Sequence, residues 1–205
     1  MVITYHGAAF CKVSQGDTTL AFCPIGKQSS LSVPKSSADI ALIPLSLPDF
    51  NGVDTVSHSG KEPFVVNGPG EYEIGGIMIR GFASEGPQGS PNTVYAVHWD
   101  DISFCHAGAL TAPTLPGDAL ESLGDIDVLF VYLDEEAGLH ARDAQKLVKQ
   151  IEPHIIIPLA GPKGKAEYAA FVKESGVTGA AVDRFTFKKR DIEMRNGDII
   201  ILESA

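Results

Sequence analysis

Val128-Leu129-Phe130-Val131-Tyr132-Leu133 and His154-Ile155-Ile156-Ile157-Pro158-Leu159 are two apolar runs on either side of a helical stretch, and their reading decides the fold. Short runs without polar alternation suit strands that are covered on both faces. Between them, Leu139, Ala144, Leu147, Val148 and Ile151 recur at helical spacing, so Leu139–Ile151 is expected to be a helix that Pro153 stops.

The same alternation continues outward. Ala166–Glu174 reads as a helix ended by Gly176, and Phe185–Phe187 and Ile199–Leu202 read as closing strands, the second announced by the hairpin pair Asn196-Gly197. Pro116–Leu123 reads as a short helix with Pro near its first turn. Before residue 110 the rhythm changes to strands and turns. Val2–Tyr5, Phe10–Ser14 and Thr18–Cys23 are β-type runs, the last two joined by Gln15-Gly16-Asp17, and Ile40–Ile43 is a continuous apolar strand. Phe64–Val66 meets the turn Asn67-Gly68-Pro69-Gly70, Glu71–Ile74 meets Gly75-Gly76, and Ile77–Phe82 follows. Thr93–Trp99 and Ile102–His106 flank Asp100-Asp101 as a further hairpin. The expectation is an α/β fold with two sheets covered by helices. It forms one domain over residues 1–205, with pseudo-duplicated halves of about 1–110 and 111–205.

The 205 residues carry 16 Lys plus Arg against 26 Asp plus Glu, a formal charge of −10, with 44% hydrophobic and 20% charged residues. That is ordinary globular composition, and its acidity disfavours nucleic acid and anionic membranes as partners. The basic run Lys188-Lys189-Arg190 is too short to reverse this and reads as a solvated cluster. No apolar run approaches the roughly 18 residues of a membrane span. Met1-Val2-Ile3-Thr4-Tyr5-His6 has no basic start before an apolar stretch, so no signal peptide is expected. Cys11, Cys23 and Cys105 form no CxxC and read as reduced thiols of a cytoplasmic protein.

Several segments in this order resemble the metallo-β-lactamase superfamily, in particular its stand-alone bacterial Zn-dependent-hydrolase-like members. They are Thr4-Tyr5-His6-Gly7 with Phe10-Cys11-Lys12-Val13, Leu20-Ala21-Phe22-Cys23-Pro24, Ala38–Ile43, the glycine-rich hairpin Asn67–Ile77, Cys105-His106-Ala107-Gly108, and Ile151–Pro158. The resemblance implies an αββα sandwich: two facing mixed β-sheets, helices outside, and an active site on one edge. It also implies one or two zinc ions held by an HxHxDH loop, an HxGD segment and a later histidine, with a metal-bound hydroxide as nucleophile.

The ligand positions do not match that chemistry. The loop reads Leu45-Ser46-Leu47-Pro48-Asp49-Phe50, so Leu45, Leu47 and Phe50 stand in place of histidines and only Asp49 fits. Ala109 replaces the bridging aspartate, Ala160 the final histidine, and Cys23 the motif aspartate near the site, and Ala83–Asn92 contains no histidine. Leu, Phe and Ala have no lone pair to offer, and one carboxylate alone does not hold a divalent ion. His6, His58, His98, His106, His140 and His154 form no HxH, HxxxH or HExxH pattern, and each reads as a surface or singly hydrogen-bonded histidine.

The expected function is therefore a non-catalytic binding or interaction protein, without cofactor, whose vestigial pocket comprises His6, Cys23, Leu45, Leu47, Asp49, Phe50, Ala109 and Ala160. Its partner is an unidentified small molecule or protein. Two alternatives stay open: a hydrolase with one zinc or other divalent ion held by Asp49 and displaced ligands such as Cys23 or His6, and a thiol-dependent enzyme built on Cys23. Three further features carry weaker readings. Lys163, Gly164 and Lys165 precede a helix and could hold an anion. Glu71 and Glu73 share a strand face that reads as solvated. Asp134-Glu135-Glu136 reads as the acidic opening of the Leu139 helix.

Overall fold

The computed structural model describes residues 1–205 except 34–35, 58–59, 61, 116, 118 and 178. Its strands are β1 (Val2–Tyr5), β2 (Cys11–Gln15), β3 (Thr18–Phe22), β4 (Ile40–Ile43), β5 (Phe64–Asn67), β6 (Gly70–Ile74), β7 (Ile77–Glu85), β8 (Pro91–Trp99), β9 (Ile102–His106), β10 (Val128–Leu133), β11 (Ile155–Ala160), β12 (Phe185–Thr186) and β13 (Asp198–Ile199). Its α-helices are α1 (Val53–Val56), α2 (Ala119–Leu123), α3 (Ala141–Ile151) and α4 (Lys165–Glu174). Among the described residues the strands form two mixed sheets, in the orders β12-β1-β2-β3-β4-β5 and β13-β11-β10-β9-β8-β7-β6.

The burial pattern explains the layering. Every residue of β4 and of β10 is buried, as the unalternating apolar runs require. Alternate residues of β10 serve two different cores. Val128, Phe130 and Tyr132 join Phe22, Leu42, Phe104 and Ile157 between the sheets, while Leu129, Val131 and Leu133 face Leu123, Ala144, Leu147 and Phe171 of the helices. The period of two thus divides one strand between a sheet–sheet core and a sheet–helix core. This is the expected αββα-type sandwich.

Element boundaries shift at the ends. α3 begins at Ala141, not Leu139, because Leu139 stays extended and bridges Leu133. α2 begins at Ala119, and Pro116 lies outside the described residues. The acidic run Asp134-Glu135-Glu136 does not open α3. Asp134 is buried, and its carboxylate accepts the amides of Glu136, Ala137 and Lys163. The first turn of α3 is capped from another helix, where Glu167 of α4 accepts the Ala141 amide at 2.6 Å and the His140 ring Nδ1–H at 3.1 Å. Those bonds lower the carboxyl pKa of Glu167, and the same hydrogen bond raises that of His140. Of the basic run, Lys189 does not remain a free surface cation, since its Nζ lies 2.8 Å from both oxygens of the buried Asp127.

The cap joins two helices that a local cap would leave independent. Glu167→Ala should lower unfolding stability by about 1 kcal/mol, measured by urea denaturation, whereas the exposed Glu174→Ala should change it less.

Candidate functional site

The turns that follow β1, β3, β4, β9 and β10, together with the end of β11, meet at one edge of the sandwich. Side chains and backbone link them across the two sheets. The Tyr5 hydroxyl lies 3.1 Å from the carbonyls of both Ala8 and Ala160, and the Thr93 amide donates to the Pro44 carbonyl at 2.9 Å.

The positions where the resemblance places metal ligands are occupied by packing. Leu45, Phe50 and Ala109 are 4%, 1% and 0% exposed, and Phe50 meets Tyr132 edge-on with ring centroids 5.4 Å apart. Leu47 differs from these, being 40% exposed and turned to solvent. Asp49 is half-buried and accepts the Ser29 hydroxyl. A loop–loop seam lies over this cluster. The Gly26 amide donates to Pro48 and the Gly52 amide to Pro24, both at 2.8 Å, and the Thr55 hydroxyl bonds the Ile25 carbonyl at 2.8 Å. A Cβ at Gly52 would collide with the Ile25 carbonyl, so glycine is what allows the two loops to meet so closely.

His106 is the polar centre of the edge. It is 1% exposed, and both ring nitrogens are engaged by backbone, so the expectation of a surface or singly bonded histidine is corrected here. The Gly108 N–H donates to Nδ1 at 3.0 Å, which makes Nδ1 the acceptor and puts the proton on Nε2, 3.0 Å from the Ala9 carbonyl. Burial pushes its pKa down to about 4, with the Ala9 hydrogen bond acting in the opposite direction. Cys23 Sγ lies 3.6 and 3.7 Å from the two ring nitrogens. Each nitrogen already has a backbone partner, so the ring has no free lone pair to receive the thiol proton. Burial also raises the thiol pKa well above its ordinary value. Cys23 itself adopts a left-handed backbone at φ 52°.

Asn92 completes the turn, a residue that no motif in the sequence marks. It is 2% exposed; its Oδ1 accepts the Ala109 amide at 2.9 Å, and its Nδ2 donates to Ser84 Oγ at 2.8 Å and to the Ala107 carbonyl at 3.1 Å. Gly108 sits at φ 61°, where a side chain would run into Asn92. A buried amide thus satisfies the turn that follows β9 from both sides.

The side chains of His6, Cys23 and Asp49 turn to three different partners. His6 Nε2 is 3.0 Å from Thr4 Oγ1, and its ring packs against Phe10, with centroids 4.9 Å apart. Burial, and then the Lys12 charge, lower its pKa to about 4. Cys23 meets His106 and Asp49 meets Ser29. At the lysine-rich turn, the Lys163 amide donates to Asp134 at 2.9 Å and the Gly164 amide to the Gly161 carbonyl at 3.0 Å, while the Lys163 ammonium pairs with Glu136. The protein's own Asp134 thus takes up an amide that an external anion would need. Glu71 and Glu73 are exposed, as a solvated face requires. His98, His140 and His154 contact Ser103, Glu167 and Asp127 respectively, and His58 lies outside the described residues.

Among the described residues, no group of three or more His, Cys, Asp or Glu side chains converges on a point where a metal ion could sit. Zinc requires several lone pairs meeting at one position. Leu45, Phe50, Ala109 and Ala160 supply none, so the residues present do not fit the ion. Beside them is a cleft of about 290 Å³ whose lining includes His6, Ala8, Ile25, Leu31, Ala160 and Pro162. Among the described residues no helix is long and apolar enough to cross a membrane.

A comparison with curated proteins found no match. Solved structures align over nearly the whole chain. A candidate Zn-dependent hydrolase of the metallo-β-lactamase superfamily from Thermotoga maritima has a TM-score of 0.75 at 20% identity, covering 98% of this chain and 99% of that one. A candidate metal-dependent hydrolase from Parabacteroides distasonis has a TM-score of 0.67 at 16% identity, covering 98% and 93%. The isothiocyanate hydrolase from Delia radicum gut bacteria has a TM-score of 0.67 at 12% identity, covering 92% and 99%. These likenesses establish the fold, and a family model, the β-lactamase superfamily domain, matches residues 2–160. The chain belongs to the β-lactamase superfamily domain family, and among its described residues that family's metal site is degenerate.

Proposed function

We propose that this protein is a non-catalytic member of the superfamily that acts by binding a partner. The observation that carries the reading is the burial of Leu45 and Phe50 in ligand positions. Burying a leucine or phenylalanine side chain stabilises a fold by roughly 1.5–3 kcal/mol, whereas placing an unpaired divalent ion among such groups is strongly unfavourable. The 290 Å³ cleft beside them leaves room for a small molecule at the old catalytic edge, and the Gly26 and Pro48 loops, which line a further cleft of about 220 Å³, offer a surface to a protein. The domain organisation follows the same reading: one unit over residues 1–205 with related halves. Cys11, Cys23 and Cys105, all buried free thiols, support a reducing, cytoplasmic setting.

A single-metal hydrolase would need Asp49 and displaced ligands, and Asp49 instead holds Ser29. A thiol enzyme would need a base for Cys23, and His106 spends both nitrogens on backbone. The weak anion site at Lys163, Gly164 and Lys165 would have to displace Asp134.

Three measurements test this. Protein purified without chelator should carry far less than one zinc per chain by elemental analysis; stoichiometric zinc that disappears in Asp49→Ala would reverse the conclusion. In native protein near neutral pH, iodoacetamide should modify Cys23 no faster than Cys11 or Cys105, and all three should react on unfolding; rapid, selective alkylation of Cys23 would support the thiol enzyme. The third concerns pH. The folded pKa of His106 lies below the value of 6.5 for an unperturbed histidine, so the unfolded chain binds the proton more readily. The resulting stability, on the order of 3 kcal/mol, is complete above about pH 6.5 and is lost as the pH falls through that range toward 4. The urea midpoint should therefore fall less steeply across this window in His106→Gln than in the native protein. His6 contributes in the same direction in both.

A further inference from the structure

The outer face of the second sheet carries a groove of about 360 Å³ that shares no lining residue with the vestigial pocket. Strand register builds it in two rows. One row runs Glu71–Arg80–Ala96–Cys105 across β6, β7, β8 and β9, and the other runs Glu73–Met78–His98–Ser103. Met78, Arg80, Ala96 and His98 line the groove, and Leu123 of α2 and Ile126 form its far wall. Met78 is 52% exposed, a large apolar side chain facing solvent from within a strand. The volume falls within the range of small-molecule pockets, roughly 300–1,000 Å³.

The charges select the ligand. Arg80 is already committed, with its Nε 3.3 Å from Glu71 and its Nη1 3.3 Å from the Ser122 carbonyl. Glu73, opposite Met78 in register, is exposed and makes no ion pair among the described residues. Arg80 is the charged side chain among the lining residues, and Glu73 stands at the groove's edge through its register partner Met78. Glu71 and Glu73 against Arg80 leave the two rows a net charge of −1, and the chain as a whole carries −10, which draws cations toward the surface. We propose that this groove binds small organic cations with an apolar body, the ammonium beside Glu73 and the body against Met78, Ala96, Leu123 and Ile126. This does not depend on the reading of the metal-less edge.

The chain has three methionines, so its methionine methyl groups give three NMR signals, and Met194, which is 95% exposed, serves as an internal control. Hexylammonium, hexanol and hexanoate share one tail and differ in head group. Titrated into [methyl-13C]methionine-labelled protein, with the Met78 signal assigned by Met78→Leu, hexylammonium should shift Met78 saturably while Met194 stays still. Its midpoint should lie about two- to fivefold below that of hexanol, the size of one exposed charge pair, with hexanoate weakest. Glu73→Gln should bring hexylammonium to the hexanol midpoint, and added salt should act in the same direction. The proposal is overturned if hexanoate binds as well as hexylammonium, if Glu73→Gln leaves the order of head groups unchanged, or if no ligand moves the Met78 methyl.

Discussion

Two sheets that pack face to face leave strand-end carbonyls in a dry seam, and buried carbonyls need donors. Three side chains supply them across the seam. His106 Nε2–H of the second sheet reaches Ala9, and the Tyr95 hydroxyl reaches Ile43 at 2.8 Å and Val66 at 3.2 Å. From the first sheet, Tyr5 reaches Ala160. The turns of this edge are positioned by these contacts. The same dry surroundings hold His106 neutral, against the pull of its bond to Ala9, and Asn92 bonds on both sides of the turn after β9.

Much of the architecture was legible in the residues. The unalternating runs Ile40–Ile43 and Val128–Leu133 gave doubly covered strands because an apolar side chain on each face has only one stable placement. The Asp100-Asp101 and Gly75-Gly76 turns marked their hairpins correctly. Helix starts were less legible. Leu139 fits the helical spacing of α3 but serves as a bridge partner of Leu133, a tertiary choice that periodicity cannot register. Asp134 looked like a helix-opening acid and instead organises a loop through three amides.

At the candidate site, residue chemistry identified which positions had lost their donors, because a leucine cannot coordinate zinc in any conformation. It did not reveal which of those side chains fill the space. Leu45 and Phe50 turn inward and Leu47 outward, a difference set by the turn after β4 and not by residue type. Nor did sequence separate His106 from the other histidines, since its two backbone partners, Ala9 and Gly108, carry no side-chain signature. The one clue was Gly108, whose left-handed turn leaves room for Asn92.

The seam between the Gly26 and Gly52 loops also bears on how such a chain can change. An imidazole placed at Leu45 or Phe50 forfeits apolar burial at once, while metal affinity appears only when several donors act together. Each such single substitution therefore lowers stability before any ion compensates. A lone histidine at either position would thus cost packing while leaving the edge short of the donors that a metal ion needs.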